Sequence, residues 1–475
     1  MDKNDDLRSP EDFRGKRVTV MGLGLFGGGV GATRFLVEHG AHVTVTDKRS
    51  PADLAESLEQ IKGLPVELVL GRHREQDFTK ADLVIVNPAV PKASPYIRLA
   101  QQHGVRLDME MNLFFRFCAA TIVGITGSNG KSTTTCLTYE ILKACGHRAW
   151  LGGNIGRSLL ADVHDIRPTD IVVLELSSFQ LEDLHRLSRS PHISIVVNIT
   201  PNHLDRHETM ENYIGAKQSI MRYQSERDFL ILNHEDPTLR RWAAESGARV
   251  YFFSAVTELN EGAFVCDQEL HVRDGRAPVR VALDRVQLPG RHNLENIAAA
   301  SMAAYIAGAG ADQIDSTVSS FQGLEHRLEF VTDVNGVRYY NDSIATTPES
   351  AIAALRSFKC GRVLVAGGSE KGVSFDAFCA EAAKSAKSVI LIGKSADKLE
   401  RLITAHRGPS ATPPIHRAGS LREAVACAAR ESAPGDVVLL SPACASFDMF
   451  RNFAERGRQF KTLVRELKAR SRRSV

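Results

Sequence analysis

The chain lacks any CxxC pair: its eight cysteines (Cys118, Cys136, Cys145, Cys266, Cys360, Cys379, Cys427 and Cys444) are scattered. That distribution excludes a disulfide scaffold or a zinc ribbon and predicts reduced core thiols. No run of about 18 apolar residues occurs, so no membrane insertion is expected. The first residues, Met1 to Asp6, are polar and acidic and carry no apolar signal segment, which makes the cytoplasm the expected location. A formal net charge of only +3, with a short basic tail (Lys468, Arg470, Arg472, Arg473), speaks against a nucleic-acid partner.

What is present is a large globular chain. With 475 residues it exceeds a single core, and its 43% hydrophobic and 24% charged residues are ordinary for folded proteins. Short β-rich runs recur at Val18–Met21, Val43–Thr46, Leu83–Val86, Ile122–Ile125, Ile171–Leu174, Ile193–Val197, Phe229–Leu232, Val363–Val365, Val389–Ile392 and Val437–Leu440. Many lead through Gly or Pro into Ala- or Leu-rich helical segments. Continuous apolar runs without polar alternation predict parallel strands buried on both faces, hence an α/β fold. Seams near residue 110 and at Gly323 predict three domains, 1–110, 111–323 and 324–475, and the weakly periodic stretch 254–290 predicts a small β excursion.

The strongest motif is Ile122-Val-Gly-Ile-Thr-Gly-Ser-Asn-Gly-Lys-Ser132, a strand, a glycine loop and a helix that opens with Thr133. Backbone N–H groups of such a loop face phosphate oxygens, the helix N-terminus adds positive potential, Lys131 a point charge and Ser132 a magnesium ligand. ATP is the expected ligand. The early Walker glycine is replaced by Ile125. A second loop, Gly22-Leu-Gly-Leu-Phe-Gly27, follows the first strand, with Asp47 at the end of the next. Glycines there admit a pyrophosphate and the carboxylate a sugar hydroxyl, as in NAD or a UDP-sugar. Glu175 ends a strand where ligand loops emerge and suits magnesium. Asn198-Ile-Thr-Pro-Asn-His-Leu-Asp-Arg-His207 adds His203, Asp205 and His207; without a third histidine or an HExxH glutamate, zinc is disfavoured against a hard cation.

These motifs, with Gly153-Asn-Ile-Gly156, Lys217, Gly290-Arg-His-Asn293, Asn296, His326-Arg327, Asn341-Asp-Ser343 and Ser441-Pro-Ala-Cys-Ala-Ser-Phe-Asp448, resemble the Mur ligase family over nearly the whole chain. The family's phosphate loop also lacks the early glycine. The resemblance implies three domains: a Rossmann-like N-terminal domain for the UDP substrate, a central P-loop ATPase-type parallel sheet, and a C-terminal Rossmann-like domain for the amino acid. It implies a cytoplasmic ATP-dependent ligase, acting as a monomer, that adds D-glutamate to UDP-N-acetylmuramoyl-L-alanine through an acyl phosphate in peptidoglycan synthesis. C-terminal domain closure would align the reactants and exclude water.

By the same resemblance, Gly22, Gly24, Leu25, Phe26, Gly27, Asp47, Arg49 and Asn154 would bind the UDP substrate. Gly127, Ser128, Asn129, Gly130, Lys131, Ser132, Thr133, Asn296, Arg327 and Asp342 would bind ATP. Thr346, Lys371, Ser446 and Phe453 would hold glutamate. Lys131, His203 and Lys217 would be catalytic, with Ser132, Glu175, His203 and a carbamylated Lys217 holding two magnesium ions. Ile344 departs from a lysine common in the family, and Ala89 from a glycine; the first leaves open L-glutamate or another amino acid. A nicotinamide-dependent dehydrogenase would use Gly22 to Gly27 and Asp47 but leave the central loop without a purpose. A folate-type glutamate ligase would need no UDP domain, and a non-catalytic nucleotide-binding scaffold would leave the phosphate and metal groups unused.

Overall fold

The computed structural model describes residues 7–25, 27–155, 157–202, 204–275, 278–286, 288, 290–370, 374–407 and 413–471. The expected roles of Phe26, His203 and Lys371 fall outside these described residues. The chain forms two compact units, Met1–Arg285 with Leu294–Ser319, and Val286–Asn293 with Ser320–Val475.

The first unit holds two sheets. One is all parallel, in the order Val66–Leu70, His42–Asp47, Arg17–Met21, Leu83–Val86, Arg106–Asp108. The winding reverses between Arg17–Met21 and Leu83–Val86, so a crevice opens beyond their C-terminal ends, the usual ligand position in such sheets. Gly22 to Gly27 and Asn87 stand there.

The second sheet has nine strands: Val279–Ala282, Glu269–Arg273, Gly262–Cys266, Arg249–Ser254, Phe229–Asn233, Ile193–Val196, Thr121–Thr126, Ile171–Glu175 and Ala149–Gly153. All pairings from Gly262–Cys266 onward are parallel, whereas the first three strands form an antiparallel excursion within 254–290, as the weak periodicity there suggested. The helix Glu110–Phe117 follows the last strand of the first sheet and buries Met111, Leu113, Phe114 and Phe115 in a core shared with Phe13, Phe35, Leu160 and Leu174. Burying each such side chain contributes about 1.5–3 kcal/mol, which ties the two sheets together.

The second unit carries a six-stranded sheet ordered Glu329–Val334, Val337–Asn341, Val437–Leu440, Arg362–Gly367, Ser388–Ile392, Ile415–Arg417, parallel except for its first pair. Alternate residues serve opposite faces: Leu364, Val389 and Leu391 pack in one core, and Val363, Val365 and Ile390 in another. All eight cysteines are free, three of them buried. No helix among the described residues is long and apolar enough to cross a membrane.

Candidate functional site

The strand Thr121–Thr126 delivers the chain into the phosphate loop at the C-terminal edge of the second sheet. Gly127 has φ 151° and lies against Val197 and Asn198, and Gly130, at φ 82°, caps the helix Lys131–Ala144. Ser128 N–H and Asn129 N–H both donate to Asn198 Oδ1 (3.1 and 2.8 Å), and Ser128 Oγ donates to Thr200 O (2.8 Å). The loop is therefore shaped by the strand-end segment beside it. Asn296, from the helix Arg291–Ile306, accepts from Thr134 Oγ1 (3.3 Å) and abuts Gly130.

Two ammonium groups meet on one carbonyl. Lys131 Nζ donates to Gly127 O and Ser128 O (both 3.0 Å), and Lys217 Nζ donates to Gly127 O (2.8 Å) and Thr126 Oγ1 (3.1 Å). Lys217 is 1% exposed. Burial first, and the Lys131 charge second, hold its amine well below the ordinary lysine range, with Glu175 acting the other way. An amine that loses its proton readily is a nucleophile toward carbon dioxide, and the Lys131 charge beside a glycine loop favours a polyphosphate. Tyr213, which the sequence reading missed, joins Lys217 to the loop: its ring faces Lys217 Nζ at 4.9 Å and its hydroxyl bonds Ser128 Oγ (2.8 Å).

Glu175 ends the strand Ile171–Glu175, is 2% exposed, and accepts through Oε1 from Asn154 Nδ2 (2.9 Å). Its Oε2 is buried without a hydrogen-bond partner. A buried carboxylate oxygen left over costs desolvation energy unless something binds it. An oxygen donor set of Glu175 and the Ser132 hydroxyl at a phosphate loop fits a hard cation such as Mg2+. Asn154, expected at the substrate, thus also orients Glu175. His207 Nε2 bonds Ser178 Oγ (2.9 Å) and its ring stacks on Phe179 at 5.1 Å, so it serves packing. No group of three or more His, Cys, Asp or Glu capable of holding a metal occurs among the described residues.

In the first sheet's crevice the expected elements come together. Asp47 Oδ2 accepts from Gly24 N–H (3.2 Å) and Oδ1 from Arg49 N–H (2.9 Å), while Leu25 is exposed. Gly22, Gly24 and Gly27 all have positive φ.

In the second unit, loops after three parallel strands converge. Asp342 is buried; Ser441 Oγ (2.7 Å) and Leu328 N–H (3.1 Å) donate to its carboxylate. Burial pushes that carboxyl up to about 7, its hydrogen bonds and Arg327 opposing. Ser343 Oγ donates to Phe453 O (2.7 Å). Arg456, fully buried, donates to Ser343 Oγ and O (both 2.9 Å) and to Cys444 O and Ala445 O. It knits the segments carrying Asp342, Thr346, Ser446 and Phe453, and only its place in the fold reveals it.

Three family models match the chain: "Mur ligase MurD-like, N-terminal domain" over 16–108, "Mur ligase middle domain" over 125–304, and "Mur ligase, glutamate ligase domain" over 326–444. Proteins named UDP-N-acetylmuramoylalanine–D-glutamate ligase are similar throughout. The one from Symbiobacterium thermophilum is 45% identical over 95% of this chain and 98% of its own, and that from Acetivibrio thermocellus 42% over 96% and 98%. Among solved structures, UDP-N-acetylmuramate-alanine ligase MurC from Thermotoga maritima aligns with TM-score 0.59 at 17% identity, covering 95% of this chain and 99% of that one. MurF ligase from the same organism, in complex with ADP, aligns at 0.56 and 18%, covering 98% and 97%. Both share the fold.

Proposed function

The chain belongs to the Mur ligase family, and from that premise we propose that it joins D-glutamate to UDP-N-acetylmuramoyl-L-alanine, converting ATP to ADP and phosphate, in peptidoglycan precursor synthesis. The observation that carries the ATP half is the sharing of the Gly127 carbonyl by Lys131 and Lys217 beside the half-unpartnered Glu175. The near full-length similarity to D-glutamate ligases carries the other half.

The UDP substrate is held by Gly22, Gly24, Leu25, Phe26, Gly27, Asp47 and Arg49 of residues 1–110, with Asn154 of residues 111–323 at its muramoyl portion; residues 111–323 hold ATP; residues 324–475 hold glutamate through Thr346, Lys371, Ser446 and Phe453, with Arg327 and Asp342 at the nucleotide. The muramoyl-alanine carboxylate attacks the γ-phosphorus of ATP, the bond to the β-phosphate oxygen breaks, and ADP leaves an acyl phosphate. Lys131, released from its loop carbonyls, neutralises charge on the transferred phosphoryl group. The glutamate amine then attacks the acyl carbon, loses a proton, and expels phosphate to leave the amide. Magnesium, held by Ser132, Glu175, His203 and a carbamate on Lys217, supplies charge neutralisation when bound. Carbamylation turns a buried cation into an anion. The enzyme acts in the cytoplasm as a monomer.

Phosphate release from Mg-ATP with UDP-N-acetylmuramoyl-L-alanine tests this reading. D-glutamate should stimulate it above both L-glutamate and no amino acid; equal rates in all three would overturn the assignment. The carbamate is tested by 13C NMR with labelled bicarbonate, where a carbamate signal present in the wild type and absent in Lys217→Ala is expected.

A further inference from the structure

Glu110 and Ser158 lie where the two sheets of the first unit join, outside every role assigned above. Glu110 opens the helix Glu110–Phe117 that links the sheets, and its carboxyl is 2.5 Å from Ser158 Oγ, its hydrogen-bond partner among the described residues. Ser158 follows Asn154 by four positions, and Asn154 is bound to the Glu175 carboxylate. On its other side Ser158 presses on the helix Gly28–Glu38: a β-carbon at Gly31 would overlap Ser158 Oγ, and one at Gly27 would stand 3.7 Å from Ser158 N. Ser158 Oγ also accepts from Leu160 N–H (3.2 Å), fixing the start of the segment Leu160–Asp165. One hydroxyl therefore touches the glycine-loop helix, the Asn154 segment and the linking helix.

We propose that the Glu110–Ser158 pair is a positioning element for the UDP-linked substrate, fixing the first turns of the helix Gly28–Glu38 against the segment that carries Asn154. The inference rests on the reading of Gly22 to Gly27 and Asn154 as substrate contacts. Gly31 leaves no slack, so a displaced Ser158 displaces the helix whose N-terminus faces the substrate phosphates.

Glu110 keeps part of its surface open, yet its carboxyl lies deep enough that burial pushes it up to about 7, with the Ser158 hydrogen bond opposing. Among the described residues no cation pairs with it. Of the charged groups on the elements packed around it, Asp162 is held by Arg157, Asp183 by Arg186 and Asn112, and Arg116 lies 3.9 Å from Asp108. Arg34 and Glu38, on the helix Gly28–Glu38, are exposed, and His164 and Asp165 pair with each other. Ser158 Oγ donates to Glu110 Oε1, so the contact is kept whether or not the carboxyl is ionised.

The test is steady-state kinetics of the full chain, with wild-type ligation in the same assay confirming the activity itself. Glu110→Ala and Ser158→Ala should each raise KM for the UDP substrate about tenfold, the worth of one enclosed hydrogen bond to a carboxyl, leaving KM for ATP within about threefold. The double variant should be no worse than either single one. Glu110→Gln, whose amide oxygen can still accept from Ser158 Oγ, should keep the KM for the UDP substrate within about threefold of the wild type. The proposal is overturned if the alanine variants leave the UDP-substrate KM unchanged or raise the ATP KM equally. It fails too if Glu110→Gln raises that KM as much as Glu110→Ala does while the wild type ligates normally.

Discussion

Replacing Gly130 with alanine probes how tightly the phosphate loop is built. Gly130 sits at φ 82°, ψ −13°, immediately before the helix that presents Lys131 and Ser132. A left-handed backbone costs an alanine about 1–2 kcal/mol. The added methyl would also overlap Asn296 Oδ1 and stand 3.0 Å from Val197 Cγ1, in a place with no open side. Moving Asn296 aside loses the hydrogen bond from Thr134, worth about 1 kcal/mol. The two effects come to roughly 2–3 kcal/mol. If the loop relaxes away from its phosphate-binding shape, the whole cost falls on nucleotide affinity, a weakening of about 30- to 150-fold. ADP titration calorimetry and the KM for ATP measure it, and circular dichroism checks that the fold persists. A Gly130→Ala protein that binds ADP within about threefold of wild type, at an unchanged thermal midpoint, would refute the reasoning.

Other perturbations follow from the same geometry. Asn154→Ala removes the donor to Glu175 Oε1, so the magnesium concentration for half-maximal activity should rise about tenfold, and an unchanged magnesium titration would count against Asn154 as the orienting group. Arg456→Met strands the carbonyls of Ser343, Cys444 and Ala445 in the interior; urea unfolding should show the second unit weakened by about 3 kcal/mol, whereas an unshifted midpoint would mean those groups find other partners. Asp342, with its carboxyl raised to about 7, binds its proton more tightly folded than unfolded. Its contribution to stability is complete below about pH 4 and is lost as pH rises through 7. Thermal midpoints of the wild type should therefore fall relative to Asp342→Asn between about pH 4 and 7, and parallel curves would exclude this.

All ten β-rich runs read from the sequence are strands, and the reason is their position. All ten, such as Ile171–Glu175 and Val437–Leu440, stand between two neighbours in their sheets and are buried along most of their length, which leaves an apolar signature. Strands that carry no such signature stand mostly at edges: Val66–Leu70 and Glu329–Val334 are largely half-exposed or exposed, and Arg106–Asp108 and Ile415–Arg417 are only three residues long. In the 254–290 region Val279–Ala282 alternates buried and exposed residues, while Gly262–Cys266 and Glu269–Arg273 each bury only three residues, and the pattern there was weak.

The sequence by itself determined the chemistry that local spacing encodes. A strand, glycines at fixed offsets, a lysine and a serine make a phosphate loop because backbone N–H groups and a helix N-terminus must follow one another along the chain. Asp47 was legible for the same reason, as a carboxylate one strand beyond a glycine turn. Lys217, flanked by Ala216 and Gln218, was legible only through family resemblance; its burial beneath Gly127 and its depressed basicity come from a helix folding under a loop 90 residues away. The tie between Asn154 and Glu175, the enclosure of Arg456, and the Glu110–Ser158 contact are likewise tertiary. Each depends on desolvation and on groups distant in sequence, and a buried charge acquires its character from what surrounds it rather than from its neighbours in the chain.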